Sequence, residues 1–205
     1  MSNCETRFFL TGGTALSRAY YHHRYSDDLD FFVNNDPDYH EQVDTIFSKL
    51  RDDGFLLDTD RDFISRKDFV SINVRWKKDD IALKLDFVND TVPHFGDIIK
   101  TDLFHRTDSI RNILSNKLTA LFRFAAKDVA DIREIALHES VDWVQIIHEA
   151  RMKEAGIELS VVSEILGGIP RHEFDTIIWK ETPAWETFRH DIENIIFDMM
   201  SCNGG

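Results

Sequence analysis

Cysteine is nearly absent from this chain. Cys4 and Cys202 are the two in 205 residues, at opposite ends and without metal-ligand spacing, so neither a disulfide framework nor a cysteine-held metal is expected. No apolar stretch approaches the ~20 residues that a membrane-spanning helix needs, so no membrane association is expected. The opening Met-Ser-Asn-Cys-Glu lacks a basic region followed by an apolar core. No signal peptide is therefore expected, and a reducing cytoplasm is the expected location. Positive charge is scarce as well: 24 Lys and Arg stand against 37 Asp and Glu, a net charge of −13. That balance argues against broad, sequence-blind binding of nucleic acid. No internal repeat and no low-complexity linker divides the chain.

What is present is a core. Apolar residues make up 42% and aromatic ones 12%, with sixteen Phe, which predicts a folded globule. The charge is uneven: residues 104–135 carry six Lys/Arg against four Asp/Glu, while the segments on either side are strongly acidic. A local basic strip inside an acidic protein could grip phosphates at one place, or be an ordinary solvated helix face.

Hydrophobic spacing predicts an α+β organisation: a mixed β-sheet with flanking helices over residues 1–103, then a helical bundle over residues 104–205 packed on it. Strands are expected at Arg7–Leu10, Leu29–Val33, Phe55–Leu57, Phe63–Ser65, Phe69–Trp76 and Ile81–Val88, with Lys77–Asp80 as a hairpin turn. One helix is expected from Thr14 to about His23. A second follows Pro37, carrying Val43, Ile46, Phe47 and Leu50 at helical spacing and stopped by Gly54. Beyond Asp102 the pattern is helical. Ile110, Ile113, Leu114, Lys117, Leu118, Leu121 and Phe124 form one stripe, with Asp108 or Ser109 as N-cap. Further helices are expected at 127–138, 140–154, 158–166 and 183–200.

Two segments carry chemistry. Phe8-Phe-Leu-Thr-Gly-Gly-Thr-Ala-Leu16 is an apolar run ending in two glycines at a helix start, and Ser26-Asp-Asp-Leu-Asp-Phe-Phe32 sets two acids on one strand face. Glycine lets a backbone approach phosphate closely, and free N–H groups at a helix start favour anions. Gly12 and Gly13 are thus candidate phosphate contacts, with Thr14 capping the helix or donating its hydroxyl. Asp28 and Asp30, at i and i+2, can share a Mg²⁺ ion, whereas Asp27 reads as a solvated neighbour. Asp86 stands among strand residues in Ile81-Ala-Leu-Lys-Leu-Asp-Phe-Val88, on the face of Lys84. There it makes a structural salt bridge or joins Asp28 and Asp30 around metal. Three clustered carboxylates need cations between them, and two Mg²⁺ about 3.5–4 Å apart suit in-line attack on phosphorus. His22 and His23 read as surface or helix-end histidines, and Trp143, Trp179 and Trp185 as core or interface aromatics.

The order Gly-Gly-Thr-Ala-Leu, then basic-x-Ser-x-Asp-Leu-Asp-Phe-Phe, then Leu-Asp-Phe, then Asn116-Lys-Leu-Thr-Ala-Leu-Phe-Arg123 and Lys127-Asp-Val-Ala-Asp-Ile132 resembles the AbiEii/AbiGii-type nucleotidyltransferases of the DNA polymerase β-like superfamily. The resemblance covers about residues 7–135, and residues 136–205 match no motif. It implies that Gly13 and Thr14 contact a nucleoside triphosphate, that Asp28, Asp30 and Asp86 are catalytic and hold two Mg²⁺ ions, and that Lys117 and Arg24 serve the nucleotide. Asp128 and Asp131 would organise the helix of Lys117. Read from its residues alone, Lys117 either snorkels to the surface or meets a phosphate.

The implied activity is transfer of a nucleoside monophosphate from NTP to an acceptor hydroxyl, with release of pyrophosphate. The acceptor would be RNA (a tRNA 3′ end among the candidates) or a protein, and the setting a toxin with a cognate antitoxin. Two other readings stand beside it. One is an adenylyltransferase of small, aminoglycoside-like amines; the other is a binding module that keeps the fold without turnover.

Overall fold

The computed structural model describes residues 5–61, 63–76 and 81–202. Cys4 and the Lys77–Asp80 turn lie outside them. Six strands form one sheet: β1 (Phe9–Thr11), β2 (Asp28–Asn34), β3 (Phe55–Asp58), β4 (Ile64–Arg66), β5 (Phe69–Trp76) and β6 (Ala82–Asp90). The order is β1-β2-β6-β5-β3, with β4 also on β5. Every pairing is antiparallel except β2 with β6, which run parallel. The fold is therefore α+β with a mixed, mostly antiparallel sheet.

Alternation along the strands separates two faces. Phe31, Val33, Val70, Ile72, Val74, Leu85 and Phe87 are buried on one side. Helix α2 (Tyr39–Asp52) covers it, with the Phe47 and Phe87 rings 5.9 Å apart and the Tyr39 hydroxyl donating to the Phe87 carbonyl at 2.8 Å. The other face carries Thr11, Asp28, Asp30, Ser71, Lys84 and Asp86. Burying one face and leaving the other polar is what makes a chemical surface of a sheet.

Between β1 and β2 the chain turns at Gly12, whose φ of +68° lies in the left-handed region, into a short helix α1 (Gly12–Ala15). A π-helical segment, Leu16–Tyr20, continues it. The helix starts two residues earlier than expected and ends sooner, before His22, itself at φ +58°. The helical layer follows: α3 (Ile110–Ala120), α4 (Ala126–His138), α5 (Trp143–Lys153), α6 (Leu159–Gly168), α7 (Arg171–Phe174) and α8 (Trp185–Ser201). Ser109 is the N-cap of α3, accepting from Asn112 N at 3.1 Å, while Asp142 caps α5. Asp108 is fully buried instead, accepting from Thr11 Oγ1 (2.6 Å), His94 Nε2 (2.9 Å) and Asn112 Nδ2 (2.9 Å). It thereby ties the end of β1 to the start of α3. Buried apolar side chains form one contiguous cluster from Phe8 to Met199. Among the described residues no helix is long and apolar enough to cross a membrane.

Candidate active site

Register places the acids. Asp30 lies opposite Asp86 on the neighbouring parallel strand, and Asp28 opposite Lys84. Since side chains at matched positions share a face, Thr11, Asp30, Asp86 and Ser71 form one row across four strands. The three expected aspartates therefore meet on one surface, although Asp86 is separated from Asp30 by a helix and three strands along the chain.

Their environments differ. Asp86 accepts from Ser71 Oγ at 2.6 Å and pairs with Lys84 Nζ at 2.6 Å. Asp30 is half-buried and has no hydrogen-bond or ion-pair partner among the described residues. Its pKa is raised, first because burial disfavours the charged form, then by Asp86 and Asp28; Lys117 and Lys84 oppose the shift. Gly12 is pressed against it, and a Cβ there would stand 2.5 Å from Asp30 Oδ2. Glycine at this turn is required by both the positive φ and the carboxylate behind it.

Among the described residues no three His, Cys, Asp or Glu stand grouped as a metal site. Both Asp86 oxygens are engaged, by Ser71 and Lys84. The donor chemistry nonetheless fits a hard cation. Asp30 and Asp86 hold matched positions on adjacent strands and offer oxygen ligands, and Asp30 has no ion-pair partner among the described residues.

Behind the glycine turn lies a buried ionic network. Arg24 donates to Asp131 through Nε and Nη2, each at 2.7 Å, and His23 Nε2 is 2.8 Å from the same carboxylate. Lys117 Nζ reaches Asp131 Oδ2 (2.6 Å) and Asp128 Oδ1 (2.7 Å), and Arg123 chelates Asp128 at 2.6 and 2.7 Å. Burial alone would raise the Asp131 carboxyl, but Lys117, His23 and Arg24 outweigh it and hold it far below the usual range. Asp128 is lowered likewise, by Lys117 and Arg123 against burial. Three cations meet two carboxylates, leaving one net positive charge beside Asp30.

The structure places several of the expected residues in this network. Arg24, 4% exposed, pairs with Asp131 and underlies Gly13, where any Cβ would overlap Arg24 Nη2. Thr14 is buried with its hydroxyl donating to the Asp28 carbonyl, so it braces the turn against β2. His23 is buried in the network rather than at the surface. Asp128 and Asp131 hold Lys117 and Arg24 directly. The basic strip is also largely neutralised, since Arg111 pairs with Glu149, Arg133 with Asp191, and Lys117 and Arg123 with Asp128.

A pocket of about 400 Å³ opens between the glycine turn, the sheet face and α3, within the range of small-molecule sites. Gly12, Gly13, Asp30, Lys117, Arg123 and Lys153 are among its lining. Asp28 lines a second cavity of about 290 Å³ with Arg24 and Lys127, and Asp86 and Thr14 line neither. Sequence reasoning missed Lys153 and Asp108. A lysine in the last turn of an amphipathic helix and an acid just ahead of an N-cap both look ordinary in one dimension.

Comparison with known proteins bears on the family and the fold. The family model described as "Nucleotidyl transferase AbiEii toxin, Type IV TA system" matches residues 2–195. A candidate nucleotidyltransferase from H. pylori matches in structure with a TM-score of 0.65 at 18% identity, over 98% of this chain and 92% of that one. MenT4, a nucleotidyltransferase toxin from Mycobacterium tuberculosis H37Rv, gives 0.60 at 14% identity, over 97% and 80%. JHP933 from Helicobacter pylori gives 0.54 at 17%, over 97% and 90%. At such identities the likeness is one of fold. No curated protein matches by sequence.

Proposed function

The chain belongs to the AbiEii nucleotidyltransferase toxin family, and from that premise we propose that it transfers a nucleoside monophosphate from NTP to an acceptor hydroxyl in a divalent-metal-dependent reaction. The observation that carries the reading is Asp30: a half-buried, unpartnered carboxylate opposite Asp86, against Gly12, in a pocket walled by cations. Residues 1–103 supply the sheet and its acids, and residues 104–205 the helical wall.

In this reading the triphosphate lies against the Gly12–Gly13 backbone, near the positive charge around Lys117. The acceptor oxygen forms a bond to the α-phosphorus while the α–β bridging P–O bond breaks, and pyrophosphate leaves. Asp86, released by Lys84, accepts the hydroxyl proton. Asp28, Asp30 and Asp86 would hold Mg²⁺ ions, which neutralise charge on the transferring phosphate. The side chains thus act by placement and electrostatics, with no covalent intermediate on the protein. A cognate antitoxin would restrain this activity in the cell.

For the acceptor, the family's toxin character favours RNA or a protein side chain. The paired basic strip and the net charge of −13 favour a second reading, a small cationic acceptor. Incubation with each labelled NTP, Mg²⁺ and either total RNA, total protein or polyamine-like small molecules decides between them. Label is expected in one fraction with the wild-type chain and in none with Asp30→Ala. Label that persists in Asp30→Ala removes the mechanism. No label in any fraction with the wild type, despite NTP binding, leaves the binding-module reading.

A further inference from the structure

Three cations line the main pocket, and two are matched by acids: Lys117 by Asp128 and Asp131, Arg123 by Asp128. Lys153, in the last turn of α5, is the exception. No carboxylate lies within ion-pair distance of it among the described residues. Its ammonium donates only to neutral oxygens of α3: Asn112 Oδ1 at 2.6 Å, Ser115 Oγ at 2.7 Å and Asn116 Oδ1 at 2.6 Å. It also stands 5.2 Å from the centroid of the Phe95 ring.

A lysine in a last helical turn usually extends into solvent or faces the helix's own carbonyls. This one reaches across to α3 and into the pocket. Its cradle is itself fixed, for Asn112 donates to Asp108 Oδ2 and accepts from Phe95 N. Burial lowers its pKa to about 8, only partly offset by Asp108, Asp90 and Glu149. A positive charge held among neutral groups, without an anion, is a site lacking its counter-charge.

We propose that Lys153 is the anion anchor of this pocket, its ammonium binding the terminal phosphates of the donor triphosphate. Asn116, which shares the pocket lining, is the acceptor that the ammonium gives up. Gly12, Gly13 and Asp30 line the same pocket, whereas Asp86, assigned above to the acceptor hydroxyl, does not. Lys153 therefore belongs to the donor side. The helical half then contributes a substrate contact as well as a scaffold.

The inference rests on the pocket being the triphosphate site, and one experiment separates the two. Affinities for a non-hydrolysable NTP analogue, inorganic triphosphate and the nucleoside are measured by calorimetry with Mg²⁺, for wild type, Lys153→Met, Lys153→Gln and Lys153→Arg. Loss of the charge is expected to weaken the analogue and inorganic triphosphate about 10- to 100-fold. The nucleoside should be unaffected, and arginine should restore most of the loss. Lys153→Gln keeps a donor toward Asn112 and Asn116, so it carries the comparison should Lys153→Met fail to fold. Wild type that binds triphosphate no better than the charge-free, folded variants overturns the role of Lys153 alone. Wild type that binds neither triphosphate nor analogue overturns the pocket assignment and this inference with it.

Discussion

At Asp30 one side chain sets function against stability. Burial, then Asp86 and Asp28, raise its pKa, so the folded chain keeps this proton to higher pH than the unfolded chain does. The sign follows from linkage. Its favourable contribution is complete below the free-carboxyl value of about 3.9 and is lost as pH rises through the raised value. Keeping this carboxyl buried at higher pH therefore costs stability. Asp30→Asn is expected to melt higher than wild type at pH 7–8, by about 2–4 °C for each kcal/mol relieved in a chain of this size, while transferring no label. Calorimetry across pH 4–8 checks it: the wild-type melting temperature should drift down relative to the variant as pH rises. A variant that melts lower at pH 7 would show that Asp30 supports the fold, and that the pocket is not poised for a cation.

Among elements, the junction of α3 and α4 with the segment after α1 carries buried ion pairs of Asp131 and Asp128 beside its apolar contacts. Their depressed pKa values contribute stability that is present above about pH 3.9 and lost as pH falls, the opposite slope to Asp30. Asp131→Asn leaves Arg24 and Lys117 buried with one carboxylate fewer. Stranding such charges costs about 3–5 kcal/mol, which urea titration would read as a lower midpoint at unchanged slope. A cost below about 1 kcal/mol would show the guanidinium reaching water instead. The strands were legible because period-two alternation and buried faces coincide in β2, β5 and β6. The short α7 and the early start of α1 at Gly12 were not: four residues carry no periodicity, and glycine reads as a breaker. Asp28 and Asp30 could be read as a pair from one strand. Their meeting with Asp86 depends on a parallel pairing of distant strands, and the pairing of Arg24 with Asp131 could not be read because the two lie 107 residues apart.

For the whole molecule the question is how a chain of net charge −13 could handle a polyanion. The basic residues that look like a phosphate-gripping strip are mostly committed internally: Arg111, Lys117, Arg123 and Arg133 all pair with acids, leaving Arg106 and Lys127 of the six without a carboxylate partner among the described residues. Counterion release scales with the phosphates actually neutralised, about 0.7 per contact for a single strand. If RNA is the acceptor, two free cations predict a logarithmic salt slope no steeper than about −1.4. Fluorescence anisotropy of a single-stranded RNA between 50 and 200 mM salt measures it directly, with affinity expected to change by less than tenfold. A slope of −3 or steeper that persists when exposed cations outside the strip, such as Arg18, Lys49 and Lys100, are neutralised would require the Glu149, Asp128 and Asp191 pairs to open on binding. The helical layer would then rearrange around its substrate, and the double mutant Arg111→Ala, Arg133→Ala would flatten the slope. A shallow slope together with efficient labelling would mean that acceptor choice rests on fit at the Asp86 end of the sheet, where a protein or small amine is handled as readily as RNA.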